Sequence, residues 1–243
     1  MQTAIVILAA GKGTRMKSEM PKVLHEVAGA PLLVHCMKTA QTIDPEHLII
    51  VAGHGSEDVT KTARTYAPDS QIVTQSAQLG TAHAVAQSRE ILSGFEGDLI
   101  ILYGDTPFIR SETLGKLAQA RQKSDLVVLG FQANDPGRYG RLVTSGTDLL
   151  EIVEYKEANA AQKDIKLCNS GVLAGPAQLI FQLIEQVETS NNAGELYLTD
   201  CIALAHAAGK SAGVVTCPEA ETLGVNSRRD LAQAEQVFQN NAR

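Results

Sequence analysis

The sequence predicts an α/β fold: a Rossmann-like, mostly parallel sheet with helices on both faces and a small β-rich insertion in the second half. Short runs rich in Ile, Leu and Val are nearly continuous in apolar character, as are strands that are covered on both faces. Longer amphipathic segments alternate with these runs, and that alternation is typical of βαβ units around a parallel sheet. In the second half the runs become shorter and richer in turn residues.

The elements of the first half follow from this alternation. The apolar runs predict strands at 3–9, 47–51, 71–74, 98–103 and 126–131. The amphipathic segments predict helices at 31–42, 56–66, 81–92 and 111–122. Pro31 suits a first helical position, and Ser111 is a residue type that caps a helix N-terminus.

The second half begins with a turn-rich segment at 134–140, which reads NDPGRYG. Its apolar runs predict strands at 141–144, 149–155 and 167–174, and helices at 176–189 and 198–208. An S-x-x-D pattern from Ser227 predicts a capped final helix. We expect this half to lie over one edge of the sheet and to close a single domain, residues 1–243, whose halves are 1–133 and 134–243.

Composition excludes several classes of protein. The net charge of -6 argues against a nucleic-acid binder, which usually presents a basic face. The four cysteines have neither CxxC spacing nor a histidine at metal-ligand spacing, so reduced thiols are expected rather than disulfides or a zinc site. The apolar N-terminus lacks a basic region before it, and no apolar run approaches the ~18 residues of a membrane helix. A cytoplasmic protein with no membrane partner is expected.

The strongest local signal is the loop that follows the first strand. It reads LAAGKGTRMKSEMPK and contains Leu8, Ala9, Ala10, Gly11, Gly13, Arg15 and Lys22. Glycines allow backbone N–H groups to approach a ligand and to form a nest for anions. Arg15 and Lys22 are expected to bracket this nest with two cations, so the loop predicts a phosphate site.

Two familiar phosphate loops do not match this segment. A P-loop needs G-x-x-x-x-G-K-[ST], whereas Lys12 here lies between the two glycines. A dinucleotide loop needs G-x-G-x-x-G, and its third glycine is replaced by Met16. The first acidic residues beyond the loop, Glu19 and Glu26, are too close to serve as the ribose carboxylate.

A second signal lies at the end of the predicted strand 98–103. Asp105 follows Tyr103 and Gly104, so it is expected at the carboxyl edge of the sheet, where α/β proteins bind ligands. A carboxylate in that place suits Mg²⁺, which prefers oxygen ligands, waters and substrate phosphates. The alternative is that Asp105 only begins a turn before Thr106 and Pro107.

A third signal is Gln75, which follows the predicted strand 71–74 at the same edge. Its amide offers a donor and an acceptor, which suits a ligand edge that presents both. Gly80 and Thr81 then begin a helix whose free N–H groups are expected near that ligand. Gln78 has two open interpretations, a ligand contact or a solvated loop residue.

These residues belong to blocks that resemble a known family. The blocks are GKGTRM, PKVLHEVAG, QLGTAHA, YGDTP, YGR, IVEYK, NSG, GELYLTD and GVNSR, and they span nearly the whole chain in this order. In this the chain resembles the uridyltransferase domain of the bacterial bifunctional N-acetylglucosamine-1-phosphate uridyltransferases / glucosamine-1-phosphate acetyltransferases, within the sugar-phosphate nucleotidyltransferase family. The resemblance implies a Mg²⁺-dependent enzyme that makes UDP-N-acetylglucosamine, a cell-wall and lipopolysaccharide precursor, from UTP and N-acetylglucosamine 1-phosphate.

The resemblance also implies roles for residues. Its catalytic positions are Arg15, Lys22 and Asp105, and its metal ligands are Asp105 and Asn226. Contacts to the nucleotide are implied for Leu8, Ala9, Ala10, Gly11, Gly13, Gln75, Gln78, Gly80 and Thr81. Contacts to the sugar are implied for Gly140, Glu154, Asn169, Tyr197 and Thr199, with Tyr103 and Gly104 beside them. Without the resemblance, Glu154 would pass as a solvated charge and Tyr197 as a core residue.

The family's left-handed β-helix, which carries acetyl transfer and trimer contacts, is not part of this sequence. We therefore expect no acetyltransferase activity and a monomer whose partners are small molecules. Three other functions stay open: transfer with another sugar phosphate or triphosphate, a non-catalytic nucleotide-sugar sensor, and an NAD-linked dehydrogenase. The absent third glycine and ribose carboxylate count against the dehydrogenase, and Lys22, Asp105 and Asn226 together count against a mere sensor.

Overall fold

A computed structural model describes residues 2–189, 191 and 193–241 of the chain. Its main sheet has the strand order β5-β4-β1-β6-β10-β7-β11, and the hairpin β8–β9 branches from β10. The strands are β1 Thr3–Ala9, β2 Glu26–Val27, β3 Ala30–Pro31, β4 His47–Ala52, β5 Gln71–Thr74, β6 Asp98–Tyr103, β7 Leu126–Gln132, β8 Arg141–Ser145, β9 Asp148–Val153, β10 Leu167–Pro176 and β11 Ala212–Thr216.

Helices flank this sheet on both sides. They are α1 Leu32–Gln41, α2 Ser56–Tyr66, α3 Thr81–Ala86, α4 Ser111–Ala120, α5 Ala160–Lys163, α6 Ala177–Ile184, α7 Asp200–Ala207 and α8 Arg228–Asn241. Single turns of 3₁₀ helix occur at Thr14–Met16, Lys22–Leu24 and Glu219–Thr222. No described helix has the length and apolar character that crossing a bilayer requires.

Strand β1 shows why both faces of the sheet are covered. Ile5 and Ile7 face the layer formed by α1, α2 and α4, whereas Val6 and Leu8 face the layer of α3, α6 and α7. All four are buried, because successive side chains of a strand point to opposite faces. Each such side chain contributes about 1.5–3 kcal/mol through burial. The predicted α/β sheet with helices on both faces is confirmed.

Pairing directions explain where the parallel part of the sheet ends. Strand β1 pairs in parallel with β4 and β6, and β4 pairs in parallel with β5. Strand β10 runs antiparallel between β6 and β7. The expectation that the second half lies over one edge is therefore wrong for β10, which is buried inside the sheet. The position of β10 depends on its pairing with β6 and β7, which are distant in sequence, so a local sequence pattern does not reveal it.

Other differences concern the ends of elements. Helix α3 ends at Ala86 rather than at residue 92, and further turns continue to about residue 94. Ser111 is not the cap of α4, because Arg110 occupies the cap position and Ser111 Oγ contacts Glu112. At α8, Ser227 Oγ accepts a hydrogen bond from the Asp230 amide, as the S-x-x-D pattern predicts. Strand β11, which pairs with β7, was not predicted.

Candidate active site

A cleft of about 380 Å³ opens at the carboxyl edge of the parallel strands. The ends of β1, β5 and β6 and the start of α3 form its wall. Its lining includes twelve of the predicted site residues, namely Leu8, Ala9, Ala10, Gly11, Lys22, Gln75, Gln78, Gly80, Thr81, Tyr103, Asp105 and Asn226. It also includes Val23, Ala84 and Glu195, which the sequence did not indicate.

Strand register brings sequence-distant parts of the cleft wall together. Leu8 lies beside Tyr103 in the β1–β6 pair, and the Gly104 amide donates to the Leu8 carbonyl at 2.9 Å. The Gln75 amide likewise donates to the Ala52 carbonyl at 2.8 Å and so extends the β4–β5 pairing. The first glycine-rich loop, Asp105 and Gln75 therefore meet at one edge.

The glycine-rich loop positions Lys22 through close backbone contact. Gly13 has φ 58°, and a Cβ atom there would lie 2.6 Å from the Lys22 Cβ atom. A side chain would therefore be strained by the backbone and would displace the lysine stem. Gly55, with φ 65°, makes room for the ring of Pro21 in the same way. The two glycines fix the segment that carries Lys22.

Lys22, Asp105 and Asn226 form the charged end of the cleft. The Lys22 ammonium donates to Asp105 Oδ2 and, at 3.0 Å, to Asn226 Oδ1. The Val225 amide donates to the Asp105 carbonyl at 2.9 Å, and the Asn226 amide donates to Asp230 Oδ2 at 3.0 Å. The bond from the Val225 amide to the Asp105 carbonyl holds Asn226 beside Asp105, although 121 positions separate these two residues in sequence.

The oxygen atoms at this end of the cleft suit a hard cation whose remaining ligands are waters and substrate phosphates. No group of three or more His, Cys, Asp or Glu side chains suited to a metal occurs in the described part of the chain. Asp105 and Asn226 offer one carboxylate and one amide oxygen, both directed at the same ammonium. Mg²⁺ commonly binds through one or two protein oxygens together with waters and substrate phosphates, so the pair fits it.

Gln75 is buried in the wall of the same cleft, and its contacts determine how its side-chain amide is oriented. Its Nε2 atom donates to the Gly80 carbonyl at 3.0 Å and lies 3.0 Å from His83 Nδ1. Since the Gly80 carbonyl only accepts, Nε2 must face it, which turns Oε1 away from that carbonyl. In the described contacts Oε1 has no donor, so it is the atom of Gln75 that remains for a ligand.

The neighbouring segment is fixed by a close backbone approach. Gly80 has φ 121°, and a Cβ atom there would collide with the backbone of Leu196. The Thr81 hydroxyl accepts a hydrogen bond from the Leu198 amide at 2.9 Å. Gln78 is exposed, and its Nε2 donates to the Ala10 carbonyl at 2.8 Å across the cleft. Gln78 therefore ties its loop to the glycine-rich loop.

Four of the predicted sugar residues form a second cluster beside the cleft. The Thr199 hydroxyl donates to Glu154 Oε1 at 3.2 Å, and the Asn169 amide donates to the Gly140 carbonyl at 2.9 Å. A Cβ atom on Gly140 would lie 3.5 Å from Glu154 Oε1 and 3.6 Å from Asn169 Cβ. Burial raises the pKa of Glu154, and the hydrogen bond from Thr199 opposes that shift.

Tyr103 connects this second cluster to the cleft. It lines the cleft, and with Asn169 and Thr199 it also lines a small adjoining cavity. Burial, reinforced by the charges of Glu154 and Asp105, raises the pKa of its hydroxyl. Gly171, with φ 95°, packs so closely that its Cβ would lie 2.7 Å from the Tyr103 ring. An isolated glycine inside a strand pattern is a signal for such close approach, and the sequence contains it within NSG.

Four predicted residues lie outside these two groups, and the first of them, Gly13, is the loop residue that packs against Lys22. Gly104 is buried beneath the cleft, where a Cβ would contact Val23 and the Leu8 carbonyl. Tyr197 is half-buried, and burial raises its pKa. Arg15 is exposed on its 3₁₀ turn and lines a separate cleft of about 940 Å³ that shares Asn226. The structure therefore places Lys22 with Asp105 but does not bring Arg15 into the same cleft.

Comparison with known proteins adds the family. A family model described as the MobA-like NTP transferase domain matches residues 5–170. The chain belongs to the MobA-like NTP transferase family. The matched residues include the glycine-rich loop, Lys22, Asp105, Glu154 and Asn169, so most of both clusters lies inside the family's domain.

Curated relatives of this NTP transferase match it over its full length. "Bifunctional protein GlmU" from Ruegeria sp. (strain TM1040) is 54% identical over 243 residues, which are 100% of this chain and 54% of the relative. The protein of the same name from Roseobacter denitrificans is 53% identical, with 100% and 54% covered. The chain spans about half the length of these curated relatives, and the resemblance drawn from the sequence blocks is confirmed.

Solved structures share the fold of this NTP transferase. The inositol-1-phosphate CTP transferase from T. maritima superposes with a TM-score of 0.77 at 18% identity, over 98% of this chain and 95% of that one. UDP-glucose pyrophosphorylase from Acinetobacter baumanii superposes with a TM-score of 0.74 at 17% identity, over 98% and 93%. At these identities the likeness shows the fold alone.

Proposed function

We propose that this chain is a magnesium-dependent nucleotidyltransferase that joins N-acetylglucosamine 1-phosphate to UTP and releases pyrophosphate and UDP-N-acetylglucosamine. The observation that carries the proposal is the contact of Lys22 with Asp105 and Asn226 at one end of the cleft. Membership of the NTP transferase family and the similarity to the GlmU proteins support it.

The reaction needs positive charge at this end of the cleft. A sugar 1-phosphate is close to a dianion at neutral pH, and it must approach an α-phosphate that is also an anion. At about 4 Å and an effective dielectric constant of about 20, each pair of unit charges repels by about 4 kcal/mol. A dianion that faces a monoanion is therefore opposed by roughly 8 kcal/mol.

Residues of the cleft can offset that repulsion. Asp105 and Asn226 would hold the Mg²⁺, which supplies charge neutralisation of the phosphates when it is bound. The Lys22 ammonium would donate to phosphate oxygens, and Gly11 leaves the backbone open to them, since a Cβ there meets no atom within 4 Å. The attacking phosphate is already ionised, so positioning and electrostatics suffice and no general base is required.

Gln75 supports a uracil base. With Nε2 directed at the Gly80 carbonyl, it offers a base the acceptor Oε1. Uracil carries an N–H donor at ring position 3, whereas cytosine carries an acceptor there. We therefore expect Gln75 to favour UTP or a thymine nucleotide over CTP.

The second cluster supports an acetamido sugar. The Asn169 Oδ1 atom accepts from the Gly171 amide at 2.9 Å, so its side-chain NH₂ remains as a donor for an acetamido carbonyl. The carboxylate of Glu154 accepts hydrogen bonds from hydroxyl groups, as it already does from Thr199. Tyr103 lies between both clusters, so a sugar in this place adjoins the phosphates.

The test is release of pyrophosphate by the purified chain with a panel of sugar 1-phosphates and nucleoside triphosphates, with and without EDTA. We expect N-acetylglucosamine 1-phosphate and UTP to be the best pair, with activity lost in EDTA. Asp105→Ala should remove turnover and leave thermal unfolding near that of the parent. Absence of turnover with this pair would refute the proposal, and Asp105→Ala with most of its turnover would refute the metal assignment.

A further inference from the structure

Lys22 is the cation that contacts both Asp105 and Asn226. Its ammonium reaches the carboxylate oxygen of one and the amide oxygen of the other. The side chains of Lys22 and Asp105 are 14% and 13% exposed, so bulk water screens the contact only partly. In a half-buried site of this kind, charge interactions are stronger than they are at the surface.

The same two oxygens are the ones that suit Mg²⁺. Asp105 Oδ2 and Asn226 Oδ1 both point at one position, and the positively charged Lys22 ammonium occupies that position. A dication that entered beside an undisplaced ammonium would meet strong repulsion at a few ångströms. The ammonium and the metal therefore compete for one position.

The Cβ end of the Lys22 side chain is fixed by packing, while its ammonium group can move. Gly13 packs against the Lys22 Cβ atom, and Pro21 packs against Gly55. Rotation about the four-carbon stem is enough to swing the ammonium toward another acceptor. The glycine-rich loop from Ala9 to Gly11 lines the same cleft as Lys22. Phosphate oxygens bound against this loop would supply that acceptor.

We propose that Lys22 occupies the metal position of the nucleotide-free protein, so that the divalent ion enters only together with the nucleotide's phosphates, as the metal–nucleotide complex. This inference rests on the proposed function, because it assigns the phosphates to that function's triphosphate. Phosphate oxygens bring the bound ion into the cleft, and they also accept hydrogen bonds from the displaced Lys22 ammonium. A free divalent ion brings no acceptor for that ammonium, so the ammonium stays in place and excludes the ion.

The test measures binding of Mn²⁺ alone to the full chain by electron paramagnetic resonance, without nucleotide. The parent should bind it weakly. Lys22→Gln and Lys22→Met should bind it at least about tenfold more tightly, because the competing unit charge is gone. Lys12→Gln is the matched control: it removes the same charge from an exposed position in the same loop and should leave Mn²⁺ affinity at the parent's value.

A second readout is thermal unfolding with and without Mn²⁺. The ion should raise the midpoint of Lys22→Gln and leave that of the parent nearly unchanged, because a ligand stabilises only the state that binds it. The gain should vanish in the double variant Lys22→Gln with Asp105→Asn. If the parent binds Mn²⁺ as tightly as the Lys22 variants do, or if folded Lys22 variants gain no affinity, the inference is overturned.

Neither measurement uses turnover, so failure of the proposed reaction and failure of this inference give different results. If the protein turns over its substrates but the parent and the Lys22 variants bind Mn²⁺ equally, the proposed function stands and the occupation of the metal position by Lys22 is refuted. A chain without turnover whose Lys22 variants gain affinity loses the proposed function and keeps the competition between ammonium and metal.

Discussion

Arg141 is buried, being only 2% exposed, and its partners are backbone carbonyl groups. Its guanidinium donates to the carbonyls of Pro136, Gly137 and Tyr139, and twice to that of Lys163, at 3.2 and 3.3 Å. It thereby holds the turn-rich segment 136–140, which ends at Gly140 beside the sugar cluster. We predict that Arg141→Met destabilises the protein and disturbs the sugar site more than the nucleotide site.

The expected size follows from those contacts. Four carbonyls lose their donor, at about 1 kcal/mol each, because water can reach part of this segment. Release of a buried charge that pairs with no carboxylate among the described residues offsets a part of that loss. The net expectation is about 3 kcal/mol less stability, against a total of about 5–15 kcal/mol for a typical domain.

Urea unfolding followed by circular dichroism measures that difference. Arg138→Met is the matched control, since Arg138 is exposed three positions earlier and should change stability by no more than about 0.5 kcal/mol. In turnover assays, Arg141→Met should raise KM for the sugar phosphate more than KM for UTP. Equal stability of Arg141→Met and the parent would refute the stabilising role of Arg141 in segment 136–140. A rise confined to the KM for UTP would refute the effect of Arg141 on the proposed sugar site.

Three further predictions concern the two clusters. Gly13→Ala should lower kcat about a hundredfold, because a Cβ 2.6 Å from the Lys22 Cβ displaces the ammonium by about 1 Å. Gly140→Ala should raise KM for the sugar phosphate, because the added methyl group narrows the space beside Glu154 and Asn169. Glu154→Gln should raise the melting temperature at neutral pH while weakening sugar binding, because it removes the cost of burying a charge. Since the folded-state pKa of Glu154 is raised, its unfavourable contribution grows as the pH rises through that pKa and disappears below its ordinary value.

Each of these three has its own control. Gly146→Ala matches Gly13→Ala, because Gly146 has φ 60° with no atom within 4 Å of an added Cβ, so only the strain should appear. Gly115→Ala, which also meets no atom within 4 Å, should leave both KM values unchanged. For Glu154→Gln, melting temperatures are compared from pH 4 to pH 8. A difference between variant and parent that does not grow with pH would contradict the assigned burial cost.

Pattern reasoning located the strands of the first half because they are buried on both faces and therefore read as continuous apolar runs. Strand β1 Thr3–Ala9 and strand β6 Asp98–Tyr103 have the predicted bounds. Helix α3 was predicted too long, since apolar residues continue into the turns after Ala86. The cap at Ser111 was wrong because residue type alone does not determine where the first helical turn begins.

The candidate site was partly visible in the same way. Glycines before a lysine, and an acidic residue just after a buried strand, are local signals, and they led to Lys22 and Asp105. The pairing of Asp105 with Asn226 depends on the bond between the Val225 amide and the Asp105 carbonyl, which no local pattern contains. The separation of Arg15 from the cleft depends on the αL conformations of Gly13 and Lys17 on either side of its turn.

The amino-acid sequence alone determined the α/β class, the glycine-rich and basic character of the first loop and the residue types at the strand ends, because periodicity and loop composition are local properties. Only the tertiary structure decided that β10 lies inside the sheet, that Gln75 directs Nε2 at the Gly80 carbonyl, and that Lys22 occupies the position between Asp105 and Asn226. These outcomes depend on contacts between residues far apart in the chain, and such contacts follow from packing of the whole domain rather than from any one segment.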